Sequence, residues 1–264
     1  MSLQTTLSAI SSFVWGPPLL ILLSGTGLYL TLRLGFLQIR YLPRALSYLF
    51  ARGANKGKGD VSSFAALCTA LAATIGTGNI VGVATAVQAG GPGAIFWMWV
   101  SAFFGMATIY GEAVLAQVYK EEKDGDITGG PVYYIKAAFS GALGKVLAGL
   151  FAVFIILALG FMGNMVQSNS IGAAFQEVFH IMNFEIPPIA IGVFVAAIAA
   201  FIFLGGTKRL AAVLEKIVPI MAGIYIVGAL IFLVLHITAL PGAIASIFIG
   251  AFNPQAVVGA AAGI

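Results

Sequence analysis

The sequence predicts an all-α polytopic membrane protein, and three observations carry that prediction. Of 264 residues, 60% are hydrophobic and only 8% are charged, against roughly 25% charged in soluble domains. So few charges cannot cover a water-exposed surface, which excludes a soluble globular domain, and so apolar a chain is not a disordered one. All 13 Lys and Arg fall in three stretches separated by long intervals free of Lys and Arg. A helical crossing takes about 20 apolar residues, which leaves room for about six to eight spans. Glycine is abundant at 33 residues, and in membrane helices it permits close backbone approach and local unwinding.

The first uncharged interval is 1–32. It lacks the basic leader of a signal peptide, so it is expected to remain, with a span at 13–32. The loop 33–60 follows, with Arg33, Arg40, Arg44, Arg52, Lys56 and Lys58. Within it, 37–50 mixes apolar and basic positions. An amphipathic helix along the membrane surface and an ordinary connection both fit, and Pro43 either kinks the helix or sets its first turn. Residues 61–111 are again uncharged. As one helix they would measure ~76 Å against a ~30 Å hydrocarbon core, so the chain must turn, at Ala89-Gly90-Gly91-Pro92-Gly93. That gives spans at 62–88 and 92–119, with Trp97 and Trp99 at an interfacial level.

Segment 120–145 carries Lys120, Lys123, Lys136 and Lys145, with a short helix expected after Gly130-Pro131. Spans follow at 146–173, 187–205 and 217–236. Lys208, Arg209 and Lys216 lie between the last two. The chain then leaves the membrane near Pro241 and re-enters at 253–264. Alternate loops are free of Lys and Arg and hold only Glu177, Glu185, His180 and His236 among titratable groups. This asymmetry predicts that 33–60, 120–145 and 206–216 are cytoplasmic and that the N-terminus is outside. It also explains the net charge of +4 without a nucleic-acid partner. The single cysteine, Cys68, forms no internal disulfide.

The second span contains Thr74-Ile75-Gly76-Thr77-Gly78-Asn79-Ile80 near its middle, residue types that weaken a helix. Unwinding at 75–79 would free carbonyls near Ala72, Ala73 and Ile75 for a cation, and amides at Thr77, Gly78 and Asn79 for an anionic group. A continuous helix with a small-residue face, Gly78-xxx-Gly82, is the competing reading. The glycines do not form a nucleotide loop, since the spacing is GxGxxxG with no strand before it. Glu112 lies inside the third span, where a carboxylate is costly. Proton coupling or gating, a structural hydrogen bond, or snorkelling to the inner surface would each account for it. In the fourth span, Asn164, Gln167 and Ser168 share a face by i, i+3, i+4 spacing, either for a polar solute or to join helices. No catalytic constellation is visible, and no enzyme activity is expected. The residues thus admit two kinds of function: a broken-helix, cation-coupled carrier of a small solute, or an ion channel or pore subunit with the glycine-rich stretch as its filter.

Residues 90–105, GGPGAIFWMWVSAFFG, resemble the signature of the alanine or glycine:cation symporter family, the sodium:alanine symporters. Residues 73–80, Gly129-Gly130-Pro131 and 164–169 are similar to that family too. The resemblance implies a leucine-transporter-type fold, with two inverted five-helix repeats and an extra N-terminal helix. The first span would be the extra helix and the second the broken first helix of repeat one. It implies import of alanine or glycine with Na⁺, or sometimes H⁺, through a bacterial or archaeal inner membrane. Thr77, Gly78, Asn79 and Gln167 would meet the substrate, with Na⁺ held by carbonyls near Ala72, Ala73 and Ile75. The spans account for the extra helix and one repeat. The resemblance therefore also raises the expectation of an N-terminal fragment, with a C-terminal half of the same chain and the remaining ligands lying beyond residue 264.

Overall fold

A computed structural model describes residues 3–50, 62–123 and 126–262. Arg52, Lys56, Lys58 and the last two residues lie outside them. Among the described residues, four helices are long and apolar enough to cross a membrane: Gln4–Arg33, Gly93–Val118, Ala142–Ile181 and Gly206–Leu235. The number rises to six if the interrupted pairs Ser63–Thr74 with Thr77–Gly90, and Leu240–Gly250 with Pro254–Ala260, each count as one. The protein is a multi-pass, all-α membrane protein.

Helices α1 (Leu3–Val14) and α2 (Pro17–Arg33) form the first apolar stretch, so helix begins well before residue 13. Pro17 opens α2, where its missing N–H costs nothing. Gly35 and Phe36 both take positive φ, at 63° and 55°, and reverse the chain into α3 (Leu37–Arg40) and α4 (Leu42–Phe50). The amphipathic segment is therefore two short helices, and Pro43 sits in the first turn of α4 rather than kinking it.

Helix α5 (Ser63–Thr74) starts at Ser62, whose Oγ accepts the Ala65 N–H at 3.0 Å. It stops because Ile75 is extended, at φ −83° and ψ 112°. A 3₁₀ turn at Thr77–Asn79 leads into α6 (Val81–Gly90). Gly91, at φ 71°, turns the chain before α7 (Gly93–Val118). A small antiparallel hairpin, β1 (Glu121–Lys123) with β2 (Asp126–Thr128), follows, pairing Glu122 with Ile127. The sequence carried no alternation that announced it. Helix α8 (Pro131–Ala138) begins after Gly130. Helices α9 (Ala142–Ile155) and α10 (Asn164–Ile181) are joined by a π-helical stretch at Ile156–Gly163, and α11 (Pro188–Phe203) and α12 (Gly206–Leu235) follow.

The region from Pro241 to Asn253, expected outside the membrane, is largely an apolar helix. Helix α13 (Leu240–Gly250) meets α14 (Pro254–Ala262) at a bend of 101°.

The chain forms two compact units. The first comprises Met1–Tyr48, Gly78–Leu115 and Ala229–Ile264. Its core is built from small residues: Ala86, Ala94 and Ala260 are buried, with Trp97 and Met98 packed on them. Helices α6 and α14 approach so closely that a Cβ on Gly90 would stand 2.6 Å from Gly259 Cα and 2.7 Å from Gln255 O. Gly93 meets the Gly250 backbone in the same way. Trp97 Nε1 donates to Ala251 O at 2.6 Å, so this indole links helices, while Trp99 is exposed. In the second unit, Leu49–Thr77 with Ala116–Gly228, α8 packs on α9 and α10 on α11.

The close approach at Gly90 gives a stability prediction. Gly90→Leu should destabilise the detergent-solubilised protein by about 1–3 kcal/mol. Gly105→Ala, whose Cβ meets nothing within 4 Å, should be neutral or stabilising by up to about 1 kcal/mol. Thermal unfolding of both variants checks this, and equal shifts would show that the glycine contact is unimportant.

Candidate functional site

The interruption after α5 places backbone polar groups where a continuous helix would have consumed them. Ile75 N–H still bonds Leu71 O at 2.7 Å, and Thr74 Oγ1 donates to Ala70 O at 2.7 Å. From Ala72 onward the carbonyls belong to the last turn, where regular i+4 partners run out. Ile75's extended ψ turns its own carbonyl away from the common helix direction. The oxygens of Ala72, Ala73 and Ile75 are neutral main-chain donors at the negative end of a helix dipole. That donor chemistry suits Na⁺, which unwound membrane helices hold by carbonyls.

Across the interruption, Thr77 N–H points at Gln167 Oε1 of α10, 3.4 Å away. Gln167 also lies against Gly76, where a Cβ would stand 2.6 Å from its Nε2. A side chain at 76 would therefore require the flexible end of Gln167 to shift from its place beside the broken backbone. Within the second unit, then, Thr77 and Gln167 meet. Gly78 and Asn79 belong to the 3₁₀ turn that follows, and the space around a Cβ at Gly78 is open.

The expected common face of Asn164, Gln167 and Ser168 is divided. Asn164, Ser168, Asn169 and Gln176 line an open cleft of about 630 Å³ against Ile191 and Gly192 of α11, whereas Gln167 turns to Gly76 and Thr77 in the interruption after α5. The reason lies in the helical period. Residues 164, 168, 172 and 176 climb one stripe at ~40° per step, away from Gln167, which falls about 120° from the stripe's middle. Asn169 and Gln176 were not singled out as site residues from the sequence. The i+4 recurrence of small or polar residues at 164, 168, 172 and 176 was the available signal. Ser168 Oγ donates to Met165 O at 3.1 Å, so its hydroxyl proton is held within its own helix. Glu112 occupies an exposed position on α7. His180 lines a separate hollow with Gln176, Phe184, Glu185 and Pro187 near the α10–α11 connection.

The sequence profile described as "Sodium:alanine symporter family" matches residues 1–264. Sodium/alanine symporter AgcS of Methanococcus maripaludis is 48% identical over 266 residues, covering 100% of this chain and 58% of that protein. Amino-acid carrier protein AlsT of Bacillus subtilis is 42% identical, covering 96% of the chain and 52% of its own length. A third relative, from the same bacterium and named "Probable sodium/glutamine symporter GlnT", is 38% identical, covering 99% and 53%. The chain thus spans about half the length of the curated relatives it matches. The expectation of a fragment with a missing C-terminal half is corrected: the family match accounts for every residue from 1 to 264, and where the chain ends decides nothing about the protein. On a match that runs its whole length, the chain belongs to the sodium:alanine symporter family.

Proposed function

We propose that the protein works as a secondary active transporter, importing alanine or glycine by symport with Na⁺, or with H⁺ in its place. The observation that supports this best is the interrupted helix, α5 stopping at Ile75 ahead of the 3₁₀ turn Thr77–Asn79, in a chain of this family. An amino-acid zwitterion carries a carboxylate and an ammonium group. The amides of Thr77, Gly78 and Asn79 begin the second half-helix and suit the carboxylate. The carbonyls of Ala72, Ala73 and Ile75 end the first half and suit the coupling cation. Na⁺ supplies positive charge beside the carboxylate, so that solute and ion favour each other's binding. Gln167 adds a side-chain amide that holds the broken segment or hydrogen-bonds the solute.

The same reading assigns the helices to a leucine-transporter-type arrangement. In it α2 is the additional N-terminal helix, and α5 with α6 forms the broken helix that opens a repeat. Basic residues in the loops 33–60, 120–145 and 206–216 orient these loops to the cytoplasm and the N-terminus outward. The bilayer is the plasma membrane of the cell. Bound solute and ion then bias the exchange between outward- and inward-open states by their differential affinity.

Radiolabelled alanine uptake into proteoliposomes should be saturable and should rise with an imposed inward Na⁺ or H⁺ gradient. Glycine, D-alanine and glutamine as competitors would rank the substrates. Uptake indifferent to both gradients would remove the coupling. Linear currents independent of amino acid would point to a pore instead.

Asn79→Ala and Gln167→Ala should each weaken apparent alanine affinity by about tenfold, the scale of one lost hydrogen bond of roughly 1–2 kcal/mol. Unchanged affinity in both variants would remove these residues from the substrate site.

A further inference from the structure

We propose that the corner where α2, α3 and α4 meet α7 is a binding site for an anionic phospholipid. Its phosphate would be held by Arg40 and Arg44 beside Tyr41, and a segment of acyl chain by the hollow between Leu34, Leu37 and Tyr110. All of these residues belong to the first compact unit.

The corner is rigidly built. Gly35 and Phe36, both at positive φ, fold α3 back toward the end of α2. Gln38 is then turned inward and only 8% exposed. Its Nε2 donates to Thr31 Oγ1 at 2.8 Å and to Phe103 O of α7 at 3.0 Å. A buried amide bonded on two sides pins α3, and Ile39 and Arg40 are left facing outward.

Three features of the outward side call for one partner. The guanidinium carbons of Arg40 and Arg44 each lie 5.7 Å from the centre of the Tyr41 ring, so two cations share one aromatic ring. No acidic residue precedes Asp60 in the sequence, and among the described residues no carboxylate is recorded pairing with either arginine. Leu42 and Leu46, one helical turn apart on α4, are exposed beside this charge. Next to Tyr41 lies a hollow of about 240 Å³ lined by two leucines and two tyrosines, Leu34, Leu37, Tyr41 and Tyr110, its surface partly apolar and partly polar.

An inorganic anion would answer the arginines but leave Leu42, Leu46 and the hollow in water. A neutral lipid would cover the apolar surface and leave two cations uncompensated. An anionic phospholipid satisfies all three, with its phosphate between the guanidinium groups and its chain running along Leu34 and Leu37. Basic amphipathic segments gain both apolar burial and attraction to anionic lipid in this way.

Native mass spectrometry of the purified protein in neutral detergent, titrated with phosphatidylglycerol or phosphatidylcholine, tests the assignment. Phosphatidylglycerol should be retained in preference. Arg40→Gln and Arg44→Gln should each weaken it about fivefold, and the pair about 25-fold, on the usual contribution of one basic residue near an anionic surface. Leu34→Trp, which fills the hollow without changing charge, should weaken it too. Lys136→Gln with Lys145→Gln, an equal charge change elsewhere, should leave retention as it was, and millimolar inorganic phosphate should not displace the lipid. Equal retention of the two lipids would overturn the proposal. So would equal damage from the lysine pair, no effect of Leu34→Trp, or displacement by free phosphate.

Discussion

A backbone amide or carbonyl inside a hydrocarbon layer has no water to bond, so it must be satisfied by the chain or by something the chain holds. The rest of this structure depends on that constraint. It makes the long apolar intervals helical, and it gives the interrupted stretch between Thr74 and Val81 its significance. There the regular ladder stops, and the groups released need other partners. Thr77 N–H turns to the side chain of Gln167, while the last carbonyls of α5 form the negative end of its dipole. A residue with any side chain at position 76 would press on the Gln167 amide, so the weakness of the helix and its compensation involve the same few atoms.

Between helices the driving force is also set by the surroundings. Lipid tails are as apolar as leucine, so helices associate through close van der Waals fit more than through removal of apolar surface from water. The first unit shows what that requires. Gly90 faces Gly259, Gly93 faces Gly250, and alanines 86, 94 and 260 fill the space between. The large aromatic residues lie around this contact. Phe96 packs edge-on to Trp97 at 5.5 Å between ring centres and to Phe248 at 5.9 Å. Trp97 adds a hydrogen bond to the carbonyl of Ala251, close to the sharp bend between α13 and α14. Its polar edge thus meets a backbone group at the place where the helical ladder is broken.

The polar residues of α10 show where reading the sequence reaches its limit. Five amide or hydroxyl side chains within seven residues announce a helix face that does not belong in lipid. Spacing alone places Asn164 and Gln167 within one helical turn, which made a single shared face reasonable. The neighbours decide otherwise: Thr77, beyond the end of α5, takes Gln167, and α11 lines the cleft with Asn164, Ser168 and Asn169. The hairpin β1–β2 and helix α13 escaped for different reasons. Three-residue strands are too short to show alternation, and α13 is an uncharged stretch opened by a proline that reads equally well as a loop. Gln38 gave no signal either, since one amide in a basic segment looks like a solvated residue until the reversal at Gly35 and Phe36 turns it inward.

The sequence by itself determined that the chain is helical and membrane-embedded, because composition and the placement of charge answer directly to the bilayer. It also determined which segment of the second span is least able to stay helical, because propensity is local, and which family the chain resembles. The tertiary structure decided what those segments meet: Gln167 with Thr77, Trp97 with Ala251, Gln38 with Thr31 and Phe103. The physical reason is that a pattern fixes the face on which a side chain lies, while its partner depends on the distance and rotation of another element. Those are set by close contacts such as Gly90 on Gly259, residues far apart in the chain.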